Sequence, residues 1–230
     1  MPTTPAAEIT RISEAKIAIR AAIEAKGVTV PTGDLISSYP SYITDIPTGG
    51  QKYSNWCPLV STHPFGTSHI YAIVAVNGVV IASTAGGKMA RSTDKGLTWG
   101  SLITNPFGTD SINNLIAVNG VVIASTSGGK IARSTDNGLT WGSLITNPFG
   151  IHPIYGFTVV NGVVIAVGGL QSNAGMIARS LDNGLTWSSL ITNPFGTNSI
   201  YSITTINGVV IVGGQNGTIA RSTDNGLTWS

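Results

Sequence analysis

The chain has 230 residues, with 12 Lys and Arg against 10 Asp and Glu and a formal net charge of +2. That charge divides into −1 for residues 1–50 and +3 for the remainder, without the clustered Lys and Arg that a nucleic-acid surface requires. Only 10% of residues are charged, 42% are hydrophobic and 29 are Gly, which excludes disorder and suits close-packed sheet with many tight turns.

The start, Met1-Pro2-Thr3-Thr4-Pro5, lacks a basic segment followed by an apolar run, so no secretory signal is expected. No apolar stretch approaches the roughly 18 residues that cross a bilayer, so membrane insertion is not expected either. Cys57 is the single cysteine and forms no disulfide within the chain.

Residues 6–26 read as a helix, with Ile9, Ile12, Ile19 and Ile23 as one stripe and Gly27 as its stop. A shorter helical piece follows around residues 34–46, bent or ended by Pro40. Residues 1–47 therefore form a small helical module, 48–52 a linker and 53–230 the main domain. So little apolar surface does not hold a fifty-residue module together alone. Either the helix docks on its own main domain, or the isoleucines of residues 6–26 meet their copies in a homo-oligomer, for which a trimer is one expected form. The run from Ile9-Thr10-Arg11-Ile12 to Val28-Thr29-Val30-Pro31 resembles a segment common in bacteriophage tail and fibre proteins. That resemblance implies an attachment or oligomerisation module, a virion location after synthesis in the host cytoplasm, and other virion proteins as partners.

From residue 53 the chain repeats itself. The nonapeptide Arg133 to Trp141 recurs at Arg91 to Trp99, Arg179 to Trp187 and Arg221 to Trp229, with tryptophans 42, 46 and 42 residues apart. A period near 42 residues is that of a propeller blade. The second unit shows why. Residues 112–118 reach the tight turn Asn119-Gly120, a strong hairpin signal, and residues 121–125 return. Gly128-Gly129 turns into a third strand at 130–134, and Leu139 to Ile145 reads as a fourth. Consecutive apolar positions fit a sheet covered on both faces by neighbouring blades. The fold class expected is mainly β: a small propeller of four blades, preceded by a short helical module. Residues 53–60, with Trp56, resemble a fourth strand without its first three and would close the ring by completing the last blade. An open array and a composite ring across subunits are the alternatives.

The pattern Ser-x-Asp-x-Gly-x-Thr-Trp resembles the Asp-box of sialidase-like β-propellers, matched at Asp94 and Trp99, Asp136 and Trp141, Asp182 and Trp187, and Asp224 and Trp229. In that family the boxes are structural turns away from the ligand face. Sialidase activity is the obvious implication, and the inventory opposes it. Glycoside hydrolysis ordinarily uses two carboxylates, or a Tyr activated by a Glu. From residue 51 onward there is no Glu, and four of the five Asp lie in the boxes, leaving Asp110. Arg91, Arg133, Arg179 and Arg221 each precede a box and read as structural rather than as a carboxylate-binding trio. No catalytic residue, metal site or cofactor is expected; His63, His69 and His152 lack ligand spacing.

Where the blades differ, binding is expected. After Pro-Phe-Gly the variable positions are His69 and Tyr71, Asp110 and Asn113, His152 and Tyr155, and Asn198 and Tyr201. The second-to-third strand hairpins add Gln171, Asn173, Gln215 and Asn216. Strand alternation places both sets at one end, opposite the Asp-boxes. The expected function is non-enzymatic binding of a host-surface glycan or protein. The alternatives are a structural virion spacer and a sialidase-like hydrolase.

Overall fold

A computed structural model describes residues 17–27, 63–169 and 175–230. The chain divides into two compact units, Met1–Leu59 and Val60–Ser230.

In the first unit, residues 17–24 form helix α1 and residues 25–27 a turn. The Gly27 N–H donates to the Glu24 carbonyl at 2.9 Å, and Gly27 takes φ +83°, the left-handed stop expected of it. Arg20 Nε donates to Glu24 Oε1 at 3.0 Å, one helical turn away. Ile23 is buried, whereas Ile17 and Ile19 are exposed. Ile9, Ile12, the helical piece at 34–46, the linker and the closing strand with Trp56 and Cys57 lie outside the described residues.

The second unit is a β-propeller of four antiparallel sheets. Blade 1 holds β1 (Ile70–Val76), β2 (Val79–Thr84) and β3 (Met89–Ser92); blade 2 holds β4 (Ile112–Val118), β5 (Val121–Thr126) and β6 (Ile131–Ser134). Blade 3 holds β7 (Ile154–Val160), β8 (Val163–Gly168) and β9 (Met176–Ser180); blade 4 holds β10 (Ile200–Ile206), β11 (Val209–Gly214) and β12 (Ile219–Ser222). Each blade is a meander whose first hairpin is set by an Asn-Gly pair. Asn119 at φ 48° and Gly120 at φ 78° are both left-handed, the conformation that a two-residue turn between twisted strands demands.

Every residue of β5 and β8 is buried, because both faces of these middle strands are covered. Ile81, Val122 and Ala124 belong to one apolar cluster between blades 1 and 2; Ile123, Val164 and Ala166 join blades 2 and 3; Ile165, Val210 and Val212 join blades 3 and 4. The first strands converge, β1 beside β4, β4 beside β7 and β7 beside β10, while β10 makes no comparable packing with β1.

One expectation is corrected. The sheets have three strands, not four. The segment from Leu139 to Ile145 meets β6 at only two places, Gly142 N–H to Arg133 O at 2.9 Å and Ile145 N–H to Ile131 O at 2.8 Å. Three residues on one side span two on the other, so the pairing slips by a residue and no ladder propagates. The same two contacts recur in blade 1, from Gly100 to Arg91 and from Ile103 to Met89.

Candidate functional site

The two ends of the propeller are chemically distinct. At one end the Asn-Gly turns of blades 1, 2 and 3 reach the Asp-box loop of the next blade: Asn77 Nδ2 donates to Asn137 Oδ1 at 2.8 Å, Asn119 to Asn183 at 2.9 Å and Asn161 to Asn225 at 2.8 Å. Arg91 Nε donates to the Asn137 carbonyl and Arg179 Nε to the Asn225 carbonyl, both at 2.8 Å. Arg133 occupies the same place, with its Nε buried and unpaired. Arg91 and Arg179 thus join neighbouring blades.

Inside each box the carboxylate is consumed by its own loop. In blade 1 it accepts from the Thr98 hydroxyl, the Thr98 N–H at 2.9 Å and the Ser92 hydroxyl at 2.7 Å, while Ser92 Oγ in turn accepts from the Gly96 N–H at 2.8 Å. Those donors hold Asp94 down at a pKa of about 2. At Asp136 and Asp182 burial pushes upward, yet the Thr hydroxyl, the Thr N–H and the Ser hydroxyl together outweigh it and bring both to about 2. Asp224 is lowered further, by Ser222 and then Thr228. Each box carboxylate is thus committed to at least three donors of its own loop.

The other end is built from the Pro-Phe-Gly loops and the second-to-third strand hairpins. Backbone bonds bring them together: Ala85 N–H to His69 O at 2.9 Å, Ser127 N–H to Ser111 O at 3.0 Å and Gln215 N–H to Ser199 O at 2.9 Å. A repeated Asn (Asn105, Asn147 and Asn193) locks the loops that lead into blades 2, 3 and 4, whereas the first loop has His63 in its place. Asn147 Oδ1 accepts from the Phe149 N–H at 2.9 Å, while its amide donates to Gly129 O of the preceding blade at 2.9 Å. Asn105 does the same to Gly87 at 2.9 Å. The Asn-Pro-Phe-Gly run signals this turn, since Asn side chains bond their own backbone two residues on.

The structure adds a feature that the sequence pattern did not disclose. The pairing of β1 with β2 skips Tyr71, since Ile70 faces Thr84 and Ala72 faces Ser83. The same shift falls at Asn113, Tyr155 and Tyr201 in the other blades. A bulge leaves its extra residue unpaired and re-aims the side chain. All four variable positions on the converging first strands are therefore bulge residues. Tyr155 and Tyr201 stand with ring centroids 6.2 Å apart, and burial, then Tyr201, pushes the Tyr155 phenol up. Tyr71 and Asn113 line a cleft of about 310 Å³ with Ser111 and Ser127, and Asn113 Oδ1 is buried without a partner.

The remaining expected residues are distributed around this end. His69 is exposed and stacks on Tyr71, with ring centroids 6.5 Å apart. Asp110 is paired with Lys130 Nζ at 3.0 Å, and that ammonium also donates to the Phe107 carbonyl at 3.2 Å. His152 gives its carbonyl to Asn147 at 2.9 Å, and Asn198 gives its own to Asn193 at 2.8 Å and to the Gly175 N–H at 2.9 Å. Gln215 is half-buried, and Asn216 is exposed in a left-handed turn at φ 60°. Gln171 and Asn173 lie outside the described residues. Lys130, absent from the sequence-based set, occupies one strand entry of one blade; only its pairing with Asp110 in space brings it to the site.

No protein-family model matches the chain, and no curated protein does. Solved structures do. The computationally designed Ika4 protein matches with a TM-score of 0.52 at 12% identity, over 70% of this chain and 93% of its own. YCF48 bound to a D1 peptide matches with a TM-score of 0.53 at 19% identity, over 71% of this chain and 53% of its own. The GH74 xyloglucanase from Xanthomonas campestris matches with a TM-score of 0.53 at 14% identity, over 69% of this chain and 29% of its own. The chain thus spans about half of YCF48 and under a third of the xyloglucanase. At these identities the likeness establishes the β-propeller fold and nothing finer.

Proposed function

We propose that the end carrying the bulges is a receptor-binding face for a bacterial surface glycan, on a non-enzymatic protein of the phage tail-fibre type. The observation that carries this reading is the bulge at Tyr71, Asn113, Tyr155 and Tyr201. A propeller that needed only to pack would not require four unpaired residues turned out of its inner strands at one end. Phenol faces for sugar C–H groups, with amides and hydroxyls beside them, form the usual mixture of a shallow sugar site. Buried and unpaired, Asn113 Oδ1 offers an acceptor to a sugar hydroxyl, and Lys130 with Asp110 supplies charge at the rim.

Absence of hydrolysis fits the carboxylate inventory. Four aspartates are engaged in box loops at the opposite end, and Asp110 is held by Lys130, so paired carboxylates for acid–base work are missing among the described residues of this unit. The tail-fibre assignment rests on the N-terminal sequence resemblance. The test is a glycan array together with binding to host cells. Tyr71→Ala and Asn113→Ala should each weaken binding about five- to tenfold, on the scale of about 1 kcal/mol for an aromatic or hydrogen-bonded contact. Binding to no glycan and no host cell would favour the structural spacer; sugar release abolished by Asp110→Ala would revive the hydrolase.

A further inference from the structure

The three junctions between consecutive blades repeat one design. A trailing-face isoleucine seats on the Asp-box glycine of the next blade: a Cβ on Gly138 would lie 2.4 Å from Ile81 Cδ1, one on Gly184 2.4 Å from Ile123 Cδ1, and one on Gly226 2.7 Å from Ile165 Cδ1. An Asn amide crosses each junction, as described above. Met89, Ile131 and Ile177 on trailing faces, and Ile112, Ile154 and Ile200 on leading faces, are all buried.

The two ends of the four-blade run carry the two halves of this junction, and among the described residues neither half is occupied. On the trailing face of blade 4, Ile206 is 58% and Ile219 76% exposed, at the positions of the buried Val76 and Met89. Among the described residues Asn207, which is exposed, has no counterpart of the amide partner that Asn77, Asn119 and Asn161 have, and Ile211 seats on no glycine. On the leading face of blade 1, Ile70 is 42% and Ile73 63% exposed, and nothing lies within 4 Å of a Cβ on Gly96. Lys95, at φ 62°, holds the place of Asn137 with its backbone already in the conformation of the other boxes.

We propose that the occupant of each half is the other half on a second copy of this chain. Ile211 of one copy seats on Gly96 of the next, Lys95 donates to Asn207 Oδ1, and Arg221 Nε donates to the Lys95 carbonyl. This is a head-to-tail junction, which builds a ring where the rotation closes and a filament where it does not. Two copies satisfy both junctions and make eight blades, within the usual range of about four to eight for propellers, whereas three copies exceed it. The junction also sets Tyr71 of the second copy beside Tyr201, as Tyr155 stands beside Tyr201 within the chain. The inference does not depend on the proposed glycan.

Light scattering on the full chain reads it. The expected mass is twice the 23.7 kDa of one chain. The paired variants I206K/I219K and I70K/I73K change exposed side chains at opposite ends. Each should run at the mass of one chain with an unchanged circular dichroism spectrum, and a 1:1 mixture should recover the doubled mass through one intact junction. A wild-type mass of one chain, or of three or more, overturns the proposal. So does a variant that keeps the wild-type mass, which would place association in residues 6–26, or a mixture that does not recombine. Should a variant lose its fold, the N207C/K95C pair replaces it. A disulfide-linked dimer on a non-reducing gel, absent from either single variant, supports the junction, and a chain that stays single overturns it.

Discussion

The aspartate of each box is a local device, and its ionisation can be followed. An unfolded Asp titrates near 3.9, whereas Asp94, Asp136 and Asp182 titrate at about 2 in the fold. A depressed carboxylate pKa stabilises the folded state fully above the unfolded value, and that contribution is lost as pH falls through the folded value. The melting temperature should therefore hold from neutral pH to about 5 and fall between roughly pH 4 and pH 2. Asp136→Asn should melt lower at pH 7 and with a flatter acid slope, since one of the titrating boxes is gone. Calorimetry from pH 7 to pH 2 on both proteins checks this; an identical slope would remove the box carboxylates as its cause.

At the scale of the element, the Asp-box and the Pro-Phe-Gly loop place different demands on glycine. Gly138 has φ +77° and carries Ile81 over it, whereas Gly150 has φ +67° and open space around it. Gly150→Ala should cost about 1 to 2 kcal/mol, the left-handed backbone strain alone. Gly138→Ala adds the displacement of a buried isoleucine and should cost about 1 to 3 kcal/mol more. Urea midpoints of the two variants give the difference, and equal losses would mean that Ile81 yields freely. The bulges belong to this scale too. The Ile-Tyr and Ile-Asn pairs were legible as variable positions, but a bulge is a mismatch between two strands, and no single strand records it.

At the scale of the molecule, each blade is stable through its neighbours. Ile81, Ile123 and Ile165 are fully buried at the three junctions, and truncating any of them to Ala should cost about 2 to 5 kcal/mol. Because the junctions are equivalent, the three losses should be similar, and the unfolding should remain a single transition by fluorescence and circular dichroism. A variant that melts in two steps would show that the blades on either side of its junction fold independently.

The sequence by itself determined the blade. Its period, the Asn-Gly turns, the Asp-boxes and the consecutive apolar strands are local statements, and local hydrogen bonding and steric preference suffice to read them. The division of the propeller into a uniform and a variable end followed as well, because strand alternation needs only the count of strands. Tertiary structure decided what depends on register and on neighbours. The outer segment of blades 1, 2 and 3 slips by one residue and forms no ladder, the bulges turn Tyr71, Asn113, Tyr155 and Tyr201 out of their pairs, and Lys130 meets Asp110. It also left Ile206 and Ile219 bare where Val76 and Met89 are covered. Repeats that are nearly identical in sequence differ there only because a blade's burial is set by what stands beside it.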